Sequence, residues 1–540
     1  MNKPDILILY GSQTGNAELE AKRLAADFCE NDLNFRLFEC DSYDFTNLLD
    51  EKFVIIMAST SGQGDPPHNM KEFFDNLMID FPSDVFSQLK FSIFGFGDST
   101  YQKYNKISRV VQKRLLNLGA REFLSLALGD DSQPEGYFKS LIQWKKDILA
   151  YFGKPYSIDN ELGLCSKYLY DIAVFDDVES NSNVKNTLDH DYYCSVINNT
   201  LITAKGYEEK VYELEVKLEN PLDYRPGDIA SIYYANSDEA VECLLKILDK
   251  QSTYIQISLK DIYKQIKKDL FLDKKINLRH ALKHLFDISK PPNYYFFKSL
   301  SSKTKDILYK EKIDEMTYED YYDYIVKEKR KIWEICYDFK IEHISLYEYI
   351  NNATVIKPRD YSIACSSLRN SRCMRFIYNY VKYKTSANRE IYGLCTSFLT
   401  KLMPSDFIAI KYHKNVYSYI ADENPKIIIA TGTGLAPFLA LLEEMESKDL
   451  LNSQKHVVIF GCRYESKDFL YKDYLKDLDS KNKIKLFTAF SRDTTEKIYV
   501  QHILQYHKRD YFKEYLKENL SSLRIHVCGN SKFLPISIEK

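Results

Sequence analysis

At 540 residues and a formal net charge of -3, the chain is too long for one core, and about 150 residues per domain implies three or four domains in series. Its 45% hydrophobic and 28% charged residues are ordinary for a globular chain, and the near-neutral balance excludes a wholesale nucleic-acid binder. The charge is uneven: residues 1–150 hold 22 Asp+Glu against 16 Lys+Arg, a net of -6, and the other 390 hold 55 against 58, a net of +3.

No stretch approaches the roughly 18 uncharged apolar residues of a membrane span, and the start MNKPDILILYGS lacks a signal peptide's basic end and long apolar core. A cytoplasmic location without a membrane partner is expected. Eleven cysteines contain no C-x-x-C pair, so the expectation is reduced thiols, with neither a disulfide framework nor a metal site.

In chain order, the apolar runs DILILY (5–10), FVIIMAS (53–59), FSIFGFG (91–97) and FLSLALG (123–129) alternate with helix-like segments. This is the rhythm of a doubly wound parallel sheet, whose ligands lie beyond the carboxyl ends of its strands. Three such ends carry small polar loops: GSQTGNAE (11–18), TSGQGDPPHN (60–69) and GFGDSTYQKYN (95–105). In the first, Gly11 and Gly15 permit close backbone approach, Ser12, Thr14 and Asn16 offer side-chain donors, and the following helix presents free N–H groups. A phosphate fits there. The loop lacks the Gly-Lys-Ser/Thr of a Walker motif and the G-x-G-x-x-G of a dinucleotide turn. A monophosphate with a planar group over the other two loops would fill the site, with Tyr101 and Tyr104 supplying an aromatic face.

Residues 4–150 resemble flavodoxin-like FMN domains, and FGFGDSTYQKYN is specific to the FMN domains of diflavin reductases. The resemblance implies that Ser12, Thr14, Gly15, Asn16 and Ala17 hold the FMN phosphate. Gly62 and Gln63 would meet one ring edge and Tyr101 the ring face. Gln13, Ser59, Thr60, Ser61, Gly97, Asp98, Tyr104, Asn105 and Asp131 are further cofactor-binding positions on the same basis. Ser61 stands where cytochrome P450 reductases carry a tyrosine, which leaves one flavin face less shielded.

Residues 153–195 lack a sustained period, are rich in Asp, Asn and Ser, and read as a linker. Short alternating runs over 196–235 end in YRPGDIASIYY, a barrel strand after a turn, whereas about 238–350 is helical in character. A helical insertion into a barrel domain (196–420) is the simplest organisation. Beyond it, KPRDYSIACSS (357–367) places Arg359 to pair with a pyrophosphate, Tyr361 to stack on a flavin and Ser362 to bond its N5. Gly393, Leu394, Cys395, Thr396 and Ser397 form a Gly-led turn at a helix start, a second pyrophosphate contact.

In the last third (421–540), KIIIATGTGLAPFLALLEEM (426–445) reads as a buried strand, a glycine turn and a helix, and further strands again end in polar loops. Ser491, Arg492, Lys497 and Tyr499 gather hydroxyls and cations past one strand, suited to a 2′-phosphate, so NADPH is expected over NADH.

Residues 196–533 resemble ferredoxin-reductase-like FAD and NADPH modules, which adds Asp360 to the FAD site and Thr433, Arg463 and Gln501 to the nucleotide site. The whole chain is thereby similar to the NADPH-dependent diflavin reductases. The fold this implies is multidomain α/β: a flavodoxin-like FMN domain (1–152), the linker, a ferredoxin-reductase-like FAD barrel with helical insertion, and an NADP-binding doubly wound α/β domain. The activity it implies carries electrons from NADPH to FAD, to FMN and to a protein acceptor, with Ser362 at the FAD N5 region and Cys528 near the nicotinamide. Within that family the expected lack of a membrane anchor, the short linker and the loop TSGQGDPPHNM look most like the cytosolic diflavin oxidoreductase 1 group, which implies an anamorsin-like Fe–S acceptor docking at the acidic FMN domain. Reductases serving sulfite reductase, methionine synthase or cytochrome P450 remain open, as does a non-catalytic scaffold. Family members usually continue past the CGN motif with a helix, a strand and a terminal aromatic; the sequence ends at Lys540, so less gating of the nicotinamide is expected.

Overall fold

The computed structural model describes residues 5–61, 64–133, 136–156, 170–175, 190–249, 254–259, 272–415, 419–451 and 455–529. The chain divides into two units: residues 1–187, 236–356 and 385–389 form one, and 188–235, 357–384 and 390–540 the other.

The first unit starts with a parallel sheet of β1 (Asp5–Gly11), β2 (Asn34–Glu39), β3 (Phe53–Ser59), β4 (Lys90–Gly97), β5 (Arg121–Glu122) and β6 (Ala127–Asp130). Its order is β2-β1-β3-β4-β5, with β6 also pairing with β4. Ile6, Leu7, Ile8 and Leu9 have no exposed surface, as strands covered on both faces require, and each such side chain contributes about 1.5–3 kcal/mol by burial. Helices Asn16–Glu30 (α1), Lys71–Met78 (α2), Lys106–Asn117 (α3) and Phe138–Tyr151 (α4) cover it.

The same unit holds a small antiparallel sheet in which β7 (Tyr170–Phe175) and β12 (Lys275–Asn277) flank β11 (Tyr254–Leu259). β7 lies inside the stretch read as linker, and β11 and β12 inside the stretch read as helical. Their alternating apolar residues become legible only as partners, for example Ile172 against Ile257 and Val174 against Ile255. Short helices complete the insertion, among them Leu278–His284, Tyr294–Ser299 and Tyr318–Tyr321.

The second unit contains a six-stranded antiparallel sheet of β8 (Tyr192–Leu201), β9 (Val211–Lys217), β10 (Ile229–Ile232), β13 (Arg359–Ser362), β14 (Cys373–Asn379) and β17 (Phe407–His413). Its order is β13-β10-β17-β8-β9-β14. Next to its end strands, the Ala364 N–H donates to the Arg375 carbonyl at 2.7 Å, which nearly closes a barrel. The strands β15 (Lys382–Lys384) and β16 (Glu390–Tyr392) form a separate hairpin. A parallel sheet follows with β18 (Lys426–Thr431), β19 (His456–Cys462), β20 (Lys485–Phe490) and β21 (Arg524–Cys528) in the order β20-β19-β18-β21. Ala364 and Ile377 share one core with Phe438, Leu442 and Phe460. Beside it Glu443 accepts from the Ser366 N–H at 3.1 Å and pairs with Arg375.

Candidate functional site

The first site forms at the carboxyl ends of β1, β3, β4 and β6. Gly15 begins α1 in a left-handed conformation, φ 93°, without a side-chain cap, a geometry glycine adopts at little cost. The Gly15 N–H donates to the Ser12 hydroxyl at 3.1 Å, and the Ser12 N–H to Asn69 Oδ1 at 2.8 Å. Among the described residues the N–H groups of Thr14, Asn16 and Ala17 have no hydrogen-bond partner, as an anion cradle at a helix start requires. The Gln13 N–H donates to Ser59 Oγ at 3.4 Å, while its side-chain oxygen accepts from the His68 N–H at 3.2 Å. Asn69 and His68 were missed in the sequence, which offers no local sign that the second loop braces the first.

The other two loops complete the rim. Thr60 Oγ1 accepts from the Ile107 N–H at 3.3 Å, and Ser61 and Asp65 pair through their backbones. Gly62 and Gln63 lie outside the described residues. Tyr101 is 67% exposed. The Tyr104 hydroxyl donates to the Gly129 carbonyl at 3.2 Å, and its ring leaves no room for a Cβ at Gly97, which would come within 2.9 Å. Asn105 is buried with φ 51°; its amide donates to the Gly129 carbonyl at 2.9 Å while Oδ1 is left without a partner.

The acidic groups here differ in state. Burial raises the Asp130 carboxyl, but hydrogen bonds from Ser99 and Ser132 outweigh it and hold the group well below the usual carboxylate range. Burial, then Asp98 and Asp130, pushes Asp131 up to about 6. Its surroundings include tyrosines of the insertion: Tyr318 packs on Phe138 with centroids 4.9 Å apart, and a Cβ at Gly136 would fall 2.3 Å from the Tyr318 ring.

In the second unit, β13 carries the candidate flavin residues. Arg359 is exposed, its guanidinium 5.7 Å from the Tyr234 ring centre. Asp360 accepts from the Ser231 hydroxyl at 2.5 Å, and the Tyr361 hydroxyl lies 3.4 Å from Cys395 Sγ. The sheet thus brings the R-x-Y-S strand and the Gly393 turn together. Helix Leu394–Leu399 starts at Gly393, Thr396 Oγ1 accepts from the Val381 N–H at 3.2 Å, and the buried Ser397 Oγ has no partner. An orphaned hydroxyl beside uncapped N–H groups fits a pyrophosphate. Ser362 is half-buried at the end of β13.

The nucleotide residues cluster past the ends of the parallel sheet. The Arg492 N–H donates to the Arg463 carbonyl at 2.9 Å and the Ser491 N–H to the Cys462 carbonyl at 3.0 Å, joining the β19 and β20 ends. Arg463 pairs with Glu209 at 2.5 Å, whereas Arg492 and Lys497 are exposed. Tyr499 packs on His502 with centroids 5.5 Å apart, and Gln501 Oε1 is buried without a partner. Thr433 Oγ1 accepts from the Asn379 amide at 3.3 Å. Cys528 ends β21 directly against Gly434. The exposed cations Arg492 and Lys497 fit a phosphate group of a nucleotide. Residues 530–540, which hold the rest of the CGN motif and the chain end, lie outside the described residues.

Family models match in the same order: flavodoxin over residues 8–144, FAD binding domain over 186–398, and oxidoreductase NAD-binding domain over 428–537. A Debaryomyces hansenii protein called NADPH-dependent diflavin oxidoreductase 1 is 31% identical over 566 aligned residues, covering 98% of this chain and 92% of that protein. The chain belongs to the NADPH-dependent diflavin oxidoreductase family. Proteins of the same name from Danio rerio and Mus musculus are 29% and 28% identical, each alignment covering 100% of this chain and 94% of the relative. The protein is therefore an NADPH-dependent diflavin oxidoreductase using FMN, FAD and NADPH. Among the described residues, no helix is long and apolar enough to cross a membrane, and no cluster of three or more His, Cys, Asp or Glu could hold a metal ion.

Proposed function

We propose that this oxidoreductase delivers electrons to an anamorsin-like Fe–S protein in cytoplasmic iron–sulfur cluster assembly, docking at the acidic flavodoxin-like domain. The observation that carries the reading is the exposed Tyr101, 67% accessible, bordered by loops bearing Asp65, Asp98 and Asp130. Asp130 is held ionised by Ser99 and Ser132, so its charge persists through the physiological range. A negative field around an electron-transfer edge speeds encounter with a basic surface and is screened over a Debye length of about 8 Å at physiological salt. Full-length likeness to proteins called NADPH-dependent diflavin oxidoreductase 1 also supports it.

The bound cofactors supply hydride acceptance from NADPH and release of electrons one at a time. The chain's own groups do the holding. The N–H groups of Thr14, Asn16 and Ala17 would hold the FMN phosphate, with Ser12 bracing the turn through Gly15. Tyr101 would lie against the ring, while Arg359 and the Gly393 turn would hold the FAD pyrophosphate. Ser362 would hydrogen-bond the FAD, Arg492 and Lys497 would hold the 2′-phosphate, and Cys528 would serve the nicotinamide.

Acceptor reduction measured across salt concentrations tests the docking. It should slow from low to physiological salt, while NADPH reduction of the FAD in the same protein should follow a different curve. Neutralising Asp130, Asp131 and Glu135, the last outside the described residues, should flatten the acceptor's salt dependence. An unchanged slope with both flavins bound sinks the surface assignment. In a panel with sulfite reductase, methionine synthase and cytochrome P450, preference for one of those acceptors sinks the Fe–S assignment.

A further inference from the structure

The phosphate loop of the flavodoxin-like domain is gripped from outside that domain. Lys290 lies in the turn between helices Leu278–His284 and Tyr294–Ser299, 276 residues from Thr14, and its ammonium donates to the Thr14 carbonyl at 2.9 Å. The contact is not an isolated long side chain swinging free. A Cβ at Gly15 would lie 3.4 Å from Thr354 Cγ2 and 3.8 Å from Lys290 Nζ, so Thr354 and Lys290 meet the same turn. The turn that carries Lys290 is pinned in its own right, because the Asp287 N–H donates to the Thr354 carbonyl at 2.8 Å and the Ser289 N–H to Asp287 Oδ1 at 3.2 Å. One helix further on, Arg23 of α1 donates to Asn293 at 3.3 Å and lies 4.0 Å from the Tyr295 ring centre.

Two consequences follow for an anion in the cradle. The peptide between Thr14 and Gly15 is held at both ends, its carbonyl by Lys290 and its N–H by Ser12 Oγ, which fixes the orientation of the neighbouring free N–H groups. The ammonium is also a cation beside a turn that already favours negative charge through the N-terminus of α1. Nothing in the first 150 residues signals this. The sequence around Lys290, DISKPPN, is a plain turn until the fold brings it to the loop.

We propose that Lys290 is a positioning residue for the FMN phosphate, supplied by the insertion, and that it sets the protein's preference for phosphorylated over unphosphorylated flavin. The inference rests on the FMN site being the Ser12–Ala17 turn. It adds a binding determinant outside the flavodoxin-like domain to those in the turn.

The test strips FMN from the full-length protein and titrates it back with FMN or with riboflavin, following flavin fluorescence. Lys290→Met should weaken FMN binding about 10-fold at low salt, the scale of one charge-assisted contact, and leave riboflavin binding unchanged. The deficit should shrink as salt rises, and Lys290→Arg should restore most of the affinity. Retained FAD and an unchanged unfolding temperature show that the variant is folded. Should Lys290→Met perturb folding, Lys290→Gln, neutral but still a donor, is read the same way. Equal loss of FMN and riboflavin, or no loss of either, overturns the proposal. Failure of the site reading itself looks different: FMN would then stay bound when Thr14 and Asn16 are replaced.

Discussion

Gly434 and Cys528 meet at a distance only glycine allows: a Cβ on Gly434 would lie 2.5 Å from the Cys528 carbonyl oxygen and 2.6 Å from Gly529 Cα. The obstacle here is backbone, which cannot rotate away as a side-chain tip could. Gly434→Ala should therefore shift the end of β21 and with it Cys528, at an overpacking cost of about 1–3 kcal/mol. Stopped-flow reduction of FAD by NADPH should slow at least several-fold while FMN and FAD contents stay at wild-type levels. Normal hydride transfer in this variant would remove Cys528 from the nicotinamide side.

Replacing Thr14 and Asn16 with Leu should occlude the cradle at the start of α1 and release FMN while FAD remains, since the FAD residues lie on β13 and at the Gly393 turn. Flavin extraction and chromatography measure the ratio. Parallel loss of both flavins from a folded protein would contradict the assignment of the loop.

Arg492 and Lys497 are both exposed beyond β20. Two charge-assisted bonds to a 2′-phosphate, at roughly 1.5–3 kcal/mol each, should favour NADPH over NADH by several kcal/mol. Changing both to Ala should erase most of that preference in kcat/KM. An identical NADPH to NADH ratio before and after places 2′-phosphate recognition elsewhere.

Acidification should weaken the nucleotide-binding sheet through His456, which is 1% exposed at the start of β19. Burial, then Lys426, lowers its pKa from 6.5 to about 4. The folded state therefore favours the neutral ring. The stability it contributes is fully present above pH 6.5 and is lost as pH falls from 6.5 toward 4, by about 2 kcal/mol at pH 5. Denaturant unfolding of wild type and His456→Leu at pH 7 and pH 5 checks this. The wild type should lose more stability than the variant between the two values, and equal losses would show that other groups govern the acid limb. His526, also held near 4 by burial, should leave a residual slope in the variant.

The sequence by itself determined the elements whose signal is local. Continuous apolar runs such as DILILY marked strands buried on both faces, and Gly-containing polar loops after three of them marked the ligand side, because strand period and turn chemistry act within a few residues. The loops GSQTGNAE and FGFGDSTYQKYN and the strand RDYS were readable for the same reason. Tertiary structure alone decided what depends on partners far along the chain. Tyr170–Phe175 is a strand only because β11 lies beside it, and the short runs of β11 and β12 carry too little periodicity to stand out from a helical region. The brace of Asn69 on Ser12, the packing of Tyr318 on Phe138 and the grip of Lys290 on Thr14 join residues up to 276 positions apart. Such pairings are set by how whole layers pack and leave no trace in spacing, which is why the loops themselves could be picked out from the sequence and their outside supports could not.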